Sequence, residues 1–371
     1  MDTRHEIHHN FKGSLAIGPL VGLPSSNWVG VDVANYLSDS GVKITKFQNF
    51  STSIKADYII IVKLMPSIDW LIEKNKQGVK VLYAPVDIFH SVYIFWRYRA
   101  HLKLFSGFLI HNDKVGELIS KASDSPQFFV EHYLKYELDK NDSSIKKNEL
   151  LWVGHLEYIP SLLKFVRNSK PELNIRALSD LEKLPHYENY LEKSLNQIGC
   201  KFAVENKSDD GVYISGVYIE QWSEKKQAEL MQTCIAAFDT KMDSFAHNLK
   251  PPTKAQKFVY NKIPFACSEY SFSFKYFEQR GLKVANLDEI NYLISDEYRQ
   301  NVREFCDAQK WRVNISSVAS SYLHACKNST APILHSRTYL YLMNSVSFIV
   351  YFSLRVIDKI KTVFKLNKHK G

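Results

Sequence analysis

The stretch HNLKPPTKAQKFVYNKIPFACSE, residues 247–269, places a lysine-bearing amphipathic segment directly before a short apolar run. Its polar, proline-containing start is typical of a loop, and Thr253 stands where a helix would begin. The pattern predicts a helix over residues 253–261 and a strand at IPFACS, which Pro264 introduces. A helix that leads straight into a buried strand is the repeating unit of a parallel α/β sheet, and it indicates this class of fold.

The same alternation of apolar runs and helical stretches continues on both sides of this segment. A polar, aperiodic segment at residues 138–148, LDKNDSSIKKN, predicts a linker between two such regions. Beyond the linker we expect a helix over residues 218–234 that feeds a strand at 235–239. The other main predicted strands are at residues 14–20, 57–63, 79–87, 105–112 and 149–156.

Strands joined by helices imply crossover connections and mainly parallel sheets. We therefore predict an α/β protein with two Rossmann-like domains, an N-terminal one over residues 1–140 and a C-terminal one over residues 149–330. A helical tail follows over residues 331–371. In paired domains of this kind, ligands bind outside the carboxyl ends of the strands.

The composition restricts the function without choosing it. The 371 residues carry a formal net charge of +9, which suits nucleic acid, an anionic membrane surface or a phosphorylated small molecule. The lysines are dispersed and no nucleic-acid-binding motif is recognisable, so we expect no nucleic-acid partner. Five widely spaced cysteines without a CxxC pair indicate a reducing cytosolic compartment, with neither a disulfide framework nor a zinc site. The polar N-terminus resembles no secretion signal, and we expect HEIHH at residues 5–9 to be solvated rather than to hold a metal.

The tail combines an apolar run with a basic end. Residues 338–354 contain no charge, and RVIDKIKTVFKLNKHKG follows. Seventeen uncharged residues are at the lower limit for crossing a hydrocarbon layer of about 30 Å. We expect a basic amphipathic helix at the inner face of the plasma membrane, where each lysine near anionic lipid contributes roughly 1 kcal/mol. A spanning helix and a helix packed back on the N-terminal domain are the alternatives.

Four segments resemble the GT-B glycosyltransferases of the family 4 and family 1 type. From Lys254, KAQKFVYNKIP has the length and layout of the lysine-led helix and proline-led strand at their donor site. Residues 18–45 resemble their first strand, glycine-bearing loop and helix, and residues 150–160 the strand that opens their second domain. Residues 235–245 stand where these enzymes carry an acidic loop. The resemblance covers roughly residues 14–325.

The resemblance implies a nucleotide-sugar donor whose phosphates are held near Thr253, the expected N-cap. Lysines at the start of a helix disfavour the helix itself, so binding an anion would explain their placement. Their charge would stabilise the departing phosphate, although solvated surface lysines are the simpler alternative. The candidate donor-binding residues are Lys254, Thr253, Lys250, Lys257, His247, Glu269 and Gly154.

Catalysis in glycosyl transfer commonly uses carboxylates beside the anomeric bond. The candidates are Asp239 and Glu157 in the second domain and Asp87, a position for the base of an inverting enzyme, in the first. For Glu157 and Asp239, a helix cap or a charge that faces the linker is the alternative. The resemblance places the acceptor near Gly22, Ser25 and Asn27 in the first domain.

The sequence departs from the family at the acidic pair of the retaining enzymes. Leu249 and Lys257 stand where two glutamates are common, so the usual contact with the nucleotide ribose is either absent or made differently. A donor with a single phosphate, such as a CMP-linked acidic sugar, is then an alternative. We expect a bacterial, metal- and cofactor-independent transferase that extends a lipid-linked glycan or a surface polysaccharide such as lipopolysaccharide or capsule. A non-catalytic nucleotide- or glycan-binding protein with the same fold is the alternative.

Overall fold

A computed structural model describes residues 11–22, 26–135, 137–138, 147–169, 172–205, 211–241, 243–333 and 335–368, with side chains to residue 360. Most of the predicted linker therefore lies outside the described residues. The described strands are β1 (Leu15–Gly18), β2 (Ile44–Lys46), β3 (Tyr58–Val62), β4 (Lys80–Ala84), β5 (Gly107–Ile110), β6 (Gln127–Phe129), β7 (Lys147–Val153), β8 (Asn174–Ser179), β9 (Val204–Glu205), β10 (Gly211–Ile214), β11 (Val217–Gln221), β12 (Cys234–Asp239) and β13 (Phe265–Cys267).

Helices connect most of these strands and extend beyond the last one. Among the described residues they are α1 (Asp32–Asp39), which a π-helical turn at Asn27–Val31 precedes, α2 (Ile68–Lys76), α3 (Val92–Leu102), α4 (Asp113–Ser120), α5 (Ile159–Ser169), α6 (Leu184–Gln197), α7 (Glu224–Thr233), α8 (Phe245–Asn248), α9 (Thr253–Val259), α10 (Phe272–Glu278), α11 (Ile290–Leu293), α12 (Asp296–Gln309), α13 (Ile315–Asn328) and α14 (Arg337–Lys368).

The contacts divide the chain into two compact units. The first contains the described parts of residues 1–133, 248–251 and 311–371, and the second those of residues 134–247 and 252–310. The C-terminal part of the chain thus returns to the first unit. Residues 311–330, which the sequence analysis assigned to the C-terminal domain, belong to the first unit by their contacts.

The first unit is built on a six-stranded parallel sheet of order β2-β1-β3-β4-β5-β6. Both faces are covered, so the strands are apolar throughout rather than alternating. In β3, Ile59 and Ile61 pack into the core on one face, while Ile60 and Val62 pack into the core on the other. Helix α13 contributes to this second core, and the hydroxyl of its Tyr322 donates to the carbonyl of Val29 at 2.8 Å.

The second unit contains a seven-stranded mixed sheet of order β13-β12-β7-β8-β11-β10-β9. The first five of these strands are parallel, and β10 and β9 are antiparallel to their neighbours. The prediction of a helix over residues 218–234 was wrong at its start, because residues 217–221 form β11 and the helix begins at Glu224. Ser215 and Gly216, with φ of 50° and 86°, form a two-residue turn that turns the chain back on β10 as a hairpin.

The tail is a single helix of 32 residues, α14. Leu340, Ser347 and Tyr351 are buried at a spacing of seven and four residues, which is one helix face. This face packs against α3, and the rings of Tyr93 and Tyr351 lie 5.8 Å apart. The outward side also carries exposed apolar side chains, among them Leu342, Ile349 and Phe352, so the expected amphipathic character fits this helix poorly. Residues 337–360 are long and apolar enough to cross a membrane by length and composition alone.

Candidate functional site

The second sheet has a topological switch point between β7 and β12. These strands are neighbours, with Trp152 paired with Phe238, but the chain continues from β7 to β8 on one side and from β12 to β13 on the other. In open α/β sheets, ligands bind at the carboxyl edge of such a point. Asp239 is the last residue of β12 and Gly154 follows β7, so two predicted site residues lie at this edge.

Two lysines hold the Asp239 carboxylate. The Nζ atom of Lys254, in the first turn of α9, donates to Oδ1 at 2.9 Å, and the Nζ atom of Lys241 lies 3.1 Å from Oδ2. The Asp239 side chain is 8% exposed, and the lysine side chains are 15% and 21% exposed. The structure therefore joins a predicted catalytic carboxylate and a predicted phosphate-binding lysine in one buried ion pair. Lys241 was not among the predicted site residues, although it lies only two residues after the end of β12.

The lysines decide the protonation state of Asp239. Burial alone would raise the pKa of this carboxyl group, but the charges of Lys241 and Lys254 outweigh burial and lower the pKa to about 2. Asp239 is therefore ionised at neutral pH and is a weak proton acceptor. With two ammonium groups and one carboxylate, the cluster carries one net positive charge.

Trp152 forms the floor beneath Lys254. Its indole Nε1 donates to the Thr240 hydroxyl at 3.1 Å, and Nζ of Lys254 lies 6.0 Å from the ring centroid. Gly154 is required next to this ring, because a Cβ atom there would lie 2.3 Å from Trp152. Gly154 thus acts by leaving room for the indole, a role that the sequence did not suggest.

Lys257 adds a third cation one turn along α9. Burial, together with the nearby charges of Lys254 and Lys135, lowers the pKa of Lys257 to about 8, although Glu224 acts in the opposite direction. An ammonium group with a lowered pKa gains from any anion that comes close. Lys257 therefore favours an anionic ligand more strongly than a fully solvated lysine would.

A second group of side chains surrounds Tyr158, which lies just after β7. The hydroxyl of Tyr158 and Nε2 of His247 are 3.2 Å apart, and the ring of His155 lies 6.2 Å from that of Tyr158. Glu157 lies in the same short helical turn as Tyr158, and its carbonyl accepts a hydrogen bond from Tyr190 at 3.1 Å. The structure thus brings His247 and Tyr158 into contact, and Glu157 directly precedes Tyr158 in the chain.

The remaining donor-side candidates have other partners. Thr253 is the first helical residue of α9 rather than its N-cap, which is Pro252 and makes no side-chain cap bond. The carbonyl of Lys250 accepts from Nδ2 of Asn112 at 3.0 Å, and Lys250 belongs to the first unit. The Glu269 carboxylate accepts a hydrogen bond from Asn286 at 2.9 Å.

The acceptor-side candidates lie after strands of the first unit. Asp87 is exposed and follows β4 with a left-handed φ of 54°. Gly22 has a φ of 71°, which favours glycine, and Asn27 begins the π-helical turn before α1. Ser25 lies outside the described residues.

His111 and Asn112, which follow β5, were not among the predicted site residues. Nδ1 of His111 lies 2.7 Å from the carbonyl oxygen of Val130, and the His111 ring meets that of His132 edge-on with centroids 4.2 Å apart. Together with Asp87, they line a small cavity at the carboxyl edge of the first sheet. In the sequence, this site is indicated by the two polar residues, His111 and Asn112, that directly follow the apolar run FLI. Within the described residues, no group of three or more histidine, cysteine, aspartate or glutamate side chains is arranged to hold a metal ion.

Comparison with known proteins identifies the fold. No protein-family model and no curated protein sequence matches the chain. Among solved structures, AviGT4, a glycosyltransferase involved in avilamycin A biosynthesis, superposes with a TM-score of 0.55 over 85% of this chain and 98% of that one, at 10% identity. The chain has the GT-B glycosyltransferase fold. A trehalose 6-phosphate synthase from Burkholderia multivorans is also similar, with a TM-score of 0.48 and 12% identity over 87% of this chain and 81% of that one.

The GT-B fold agrees with the predicted class of two Rossmann-like domains. Because the identity to AviGT4 is only 10%, the likeness concerns the path of the backbone and not the roles of single side chains. Those roles have to be argued from the local chemistry. At the switch point of the second sheet, the local chemistry is that of the buried charged cluster of Asp239, Lys241 and Lys254.

Proposed function

We propose that this protein is a glycosyltransferase that uses a nucleotide-activated sugar as its donor. The observation that carries the proposal is the buried Lys241–Asp239–Lys254 cluster at the switch point of the second sheet in a chain with the GT-B fold. This is the edge of the sheet at which nucleotides bind in open α/β folds. A net positive charge there suits the phosphate of such a donor.

In this proposal, Asp239 is a positioning residue and the two lysines bind the donor phosphate. An ammonium group has three donor hydrogens, so Lys254 can keep its bond to Asp239 and still donate to a phosphate oxygen. Fixed charges of this kind stabilise the negative charge that develops on a leaving phosphate, since no reorganisation is needed during the reaction. Lys257 adds to the same positive potential. The lysines would then do the work that a divalent metal does in other phosphate sites.

Proton transfer from the acceptor needs a different group, since the pKa of Asp239 is about 2. We assign this role to Asp87, whose exposed carboxylate follows a strand of the first unit. Glu157 is the second candidate, because its turn carries the Tyr158–His247 contact. Within the described part of the chain, neither carboxylate is held by two lysines as Asp239 is.

We further propose that the acceptor is a lipid-linked or surface glycan of a bacterium and that the protein works at the cytoplasmic face of the membrane. The outward side of α14 supports this, because Leu342 and Ile349 are 65% and 64% exposed and Phe352 is 59% exposed. Exposed apolar side chains followed by a lysine-rich end are typical of helices that lie in a membrane interface. Since the other face packs against α3, α14 would lie on the membrane rather than span it.

The experiment that tests the transferase is a nucleotide-sugar assay on the full chain. Thermal unfolding is first measured with UDP, GDP and CMP, since a ligand that binds only the folded state raises the melting temperature. Turnover and hydrolysis of the matching sugar nucleotide are then followed, with and without EDTA. Stabilisation followed by EDTA-resistant turnover supports the proposal. Stabilisation with neither transfer nor hydrolysis would instead favour a non-catalytic nucleotide-binding protein with the same fold.

A further inference from the structure

A small cavity lies at the carboxyl edge of the first sheet, and its lining includes none of the residues of the lysine cluster. The segment that follows β4 contributes Asp87, the segment that follows β5 contributes His111 and Asn112, and residues 249 and 251 complete the wall. All of these residues belong to the first unit. The cavity measures about 10 Å³, which is room for one group of the size of a water molecule.

The hydrogen bond of His111 to Val130 determines the tautomer of its ring. Nδ1 lies 2.7 Å from the carbonyl oxygen of Val130, and a carbonyl only accepts, so Nδ1 carries the hydrogen. Burial lowers the pKa of His111 to about 4, and the ring is therefore neutral at physiological pH. In a neutral ring of this tautomer, Nε2 is a hydrogen-bond acceptor. Nε2 is buried and has no partner among the described residues.

Asn112 lines the cavity, and its side chain already makes three hydrogen bonds to the backbone. Its Oδ1 accepts from the Lys114 amide at 2.8 Å. Its Nδ2 donates to the carbonyls of Asn248 and Lys250 at 2.9 and 3.0 Å, which fastens residues 248–251 to the end of β5. The polar side-chain groups left for a ligand are Nε2 of His111 and the carboxylate of Asp87. Both accept hydrogen bonds, so the cavity selects a group that donates one.

We propose that this cavity binds one hydroxyl group of a sugar, with Nε2 of His111 as the acceptor of its O–H hydrogen. A hydroxyl group fits this site, because it donates one hydrogen to Nε2 and is no larger than the water molecule for which the cavity has room. Apolar neighbours such as Val86 and Leu249 suit the C–H face of a sugar ring. This inference rests on the proposed transferase in one respect, because it identifies the bound sugar as a portion of the glycosyl acceptor.

Two substitutions of His111 distinguish the role of Nδ1 from the role of Nε2. His111→Asn keeps an amide hydrogen near the position of Nδ1, where it can donate to Val130, and removes Nε2. His111→Gln places an amide group near the position of Nε2 and gives up the Nδ1 donor. A fold that depends only on the Val130 bond is expected to tolerate the first change better than the second. If Nε2 binds a sugar hydroxyl, the order for sugar affinity is the opposite, and His111→Gln binds the sugar more tightly than His111→Asn.

The test uses the full chain labelled with 15N-histidine and the methyl glycosides of glucose, galactose and mannose as probes. We expect at least one probe to shift the Nε2 resonance of His111 upfield in a saturable manner, as hydrogen bonding to that nitrogen does. His111→Asn is expected to weaken the affinity for that probe by about tenfold, the effect of losing one hydrogen bond, while its melting temperature stays close to that of wild type. His111→Gln should bind the probe more tightly than His111→Asn.

Each outcome decides between the two proposals. If none of the three glycosides shifts the resonance, the cavity holds at most a structural water and the inference is overturned. Nucleotide-sugar turnover would still stand in that case, because it is measured without these probes. Conversely, a saturable shift in a protein that neither transfers nor hydrolyses any donor would keep the sugar site and remove the transferase. Equal probe affinity in wild type and His111→Asn also overturns the role of Nε2.

Discussion

The ammonium nitrogen of Lys254 lies 2.9 Å from Oδ1 of Asp239, and this contact ties α9 to the end of β12. The two residues were candidates for separate roles, one for binding phosphate and the other for catalysis. Their contact makes them one unit, in which the carboxylate orients the lysine. Because Lys241 holds the other oxygen, the unit remains positively charged and suited to an anion.

Lys254→Ala is expected to lower donor turnover by at least about tenfold, the order of losing one charged group that stabilises the transition state. Turnover is measured by release of the nucleotide from a saturating sugar nucleotide. Lys193→Ala is the matched control, because Lys193 is exposed on α6 in the same unit, and it should keep the wild-type rate. A wild-type rate in Lys254→Ala would remove Lys254 from the donor site.

Asp239→Asn should destabilise the protein at neutral pH by about 2 kcal/mol, because a carboxyl pKa lowered from 3.8 to about 2 stabilises the folded state in proportion. The folded pKa lies below the unfolded value, so this contribution is complete above pH 4 and is lost as the pH falls toward 2. Denaturant unfolding from pH 6 to pH 2 should therefore show the wild-type and variant free energies converging in acid. A constant difference across that range would contradict the assigned pKa.

Lys257 should make stability depend on pH in the alkaline range. Burial lowers its folded pKa from 10.5 to about 8, so the unfolded chain binds more protons between these values and the free energy of unfolding rises with pH through that window. Lys257→Met should remove this rise and increase the melting temperature at pH 7. A lower melting temperature in Lys257→Met than in wild type at pH 7 would show that the buried ammonium group does not destabilise the folded protein.

Nucleotide binding should reverse the shift of Lys257. A phosphate near the ammonium group raises its pKa, so binding at pH 8.5 should take up a proton and the affinity should fall as the pH rises further. Calorimetry in two buffers with different ionisation enthalpies measures the uptake directly. Lys257→Met should show no uptake at that pH, whereas equal uptake in both proteins would assign the proton to another group.

The sequence predicted the fold well where one residue pattern determines one element. The apolar runs YIIIV and KVLYA could only be buried strands, and both are central strands of the first sheet. The predicted helix over residues 218–234 began too early, because residues 218–221 belong to β11. The missed signal was the pair Ser215–Gly216, whose left-handed turn pairs β11 with β10.

The site was harder to predict because its geometry depends on contacts between distant residues. Lys254 and Asp239 were each proposed, but they are 15 positions apart in the chain, and nothing in the sequence indicates the ion pair that changes the role of both. The function of Gly154 depends on where the ring of Trp152 folds. The proposed role of His111 depends on its contact with Val130, because this contact determines the tautomer and makes Nε2 the acceptor. Sequence patterns give elements and residue types, whereas protonation and partner choice come from packing.

The outward side of α14 should carry membrane binding, and its inward side should carry stability. The double variant Leu342→Ser with Ile349→Ser should bind vesicles of phosphatidylcholine and phosphatidylglycerol at least about tenfold more weakly, because burying each such side chain contributes about 1.5–3 kcal/mol. Its melting temperature should stay unchanged, since both residues are well exposed. Co-sedimentation with vesicles measures the binding.

Leu340→Ala is the matched control on the same helix. Leu340 is fully buried against the core of the first unit, so its truncation should cost about 2–5 kcal/mol of unfolding free energy while vesicle binding by the folded protein persists. Removing residues 338–371 would mix the two effects, because it strips the cover from α3 as well as the exposed apolar side. Wild-type vesicle binding by the Leu342 and Ile349 double variant would show that this side of α14 does not contact the membrane.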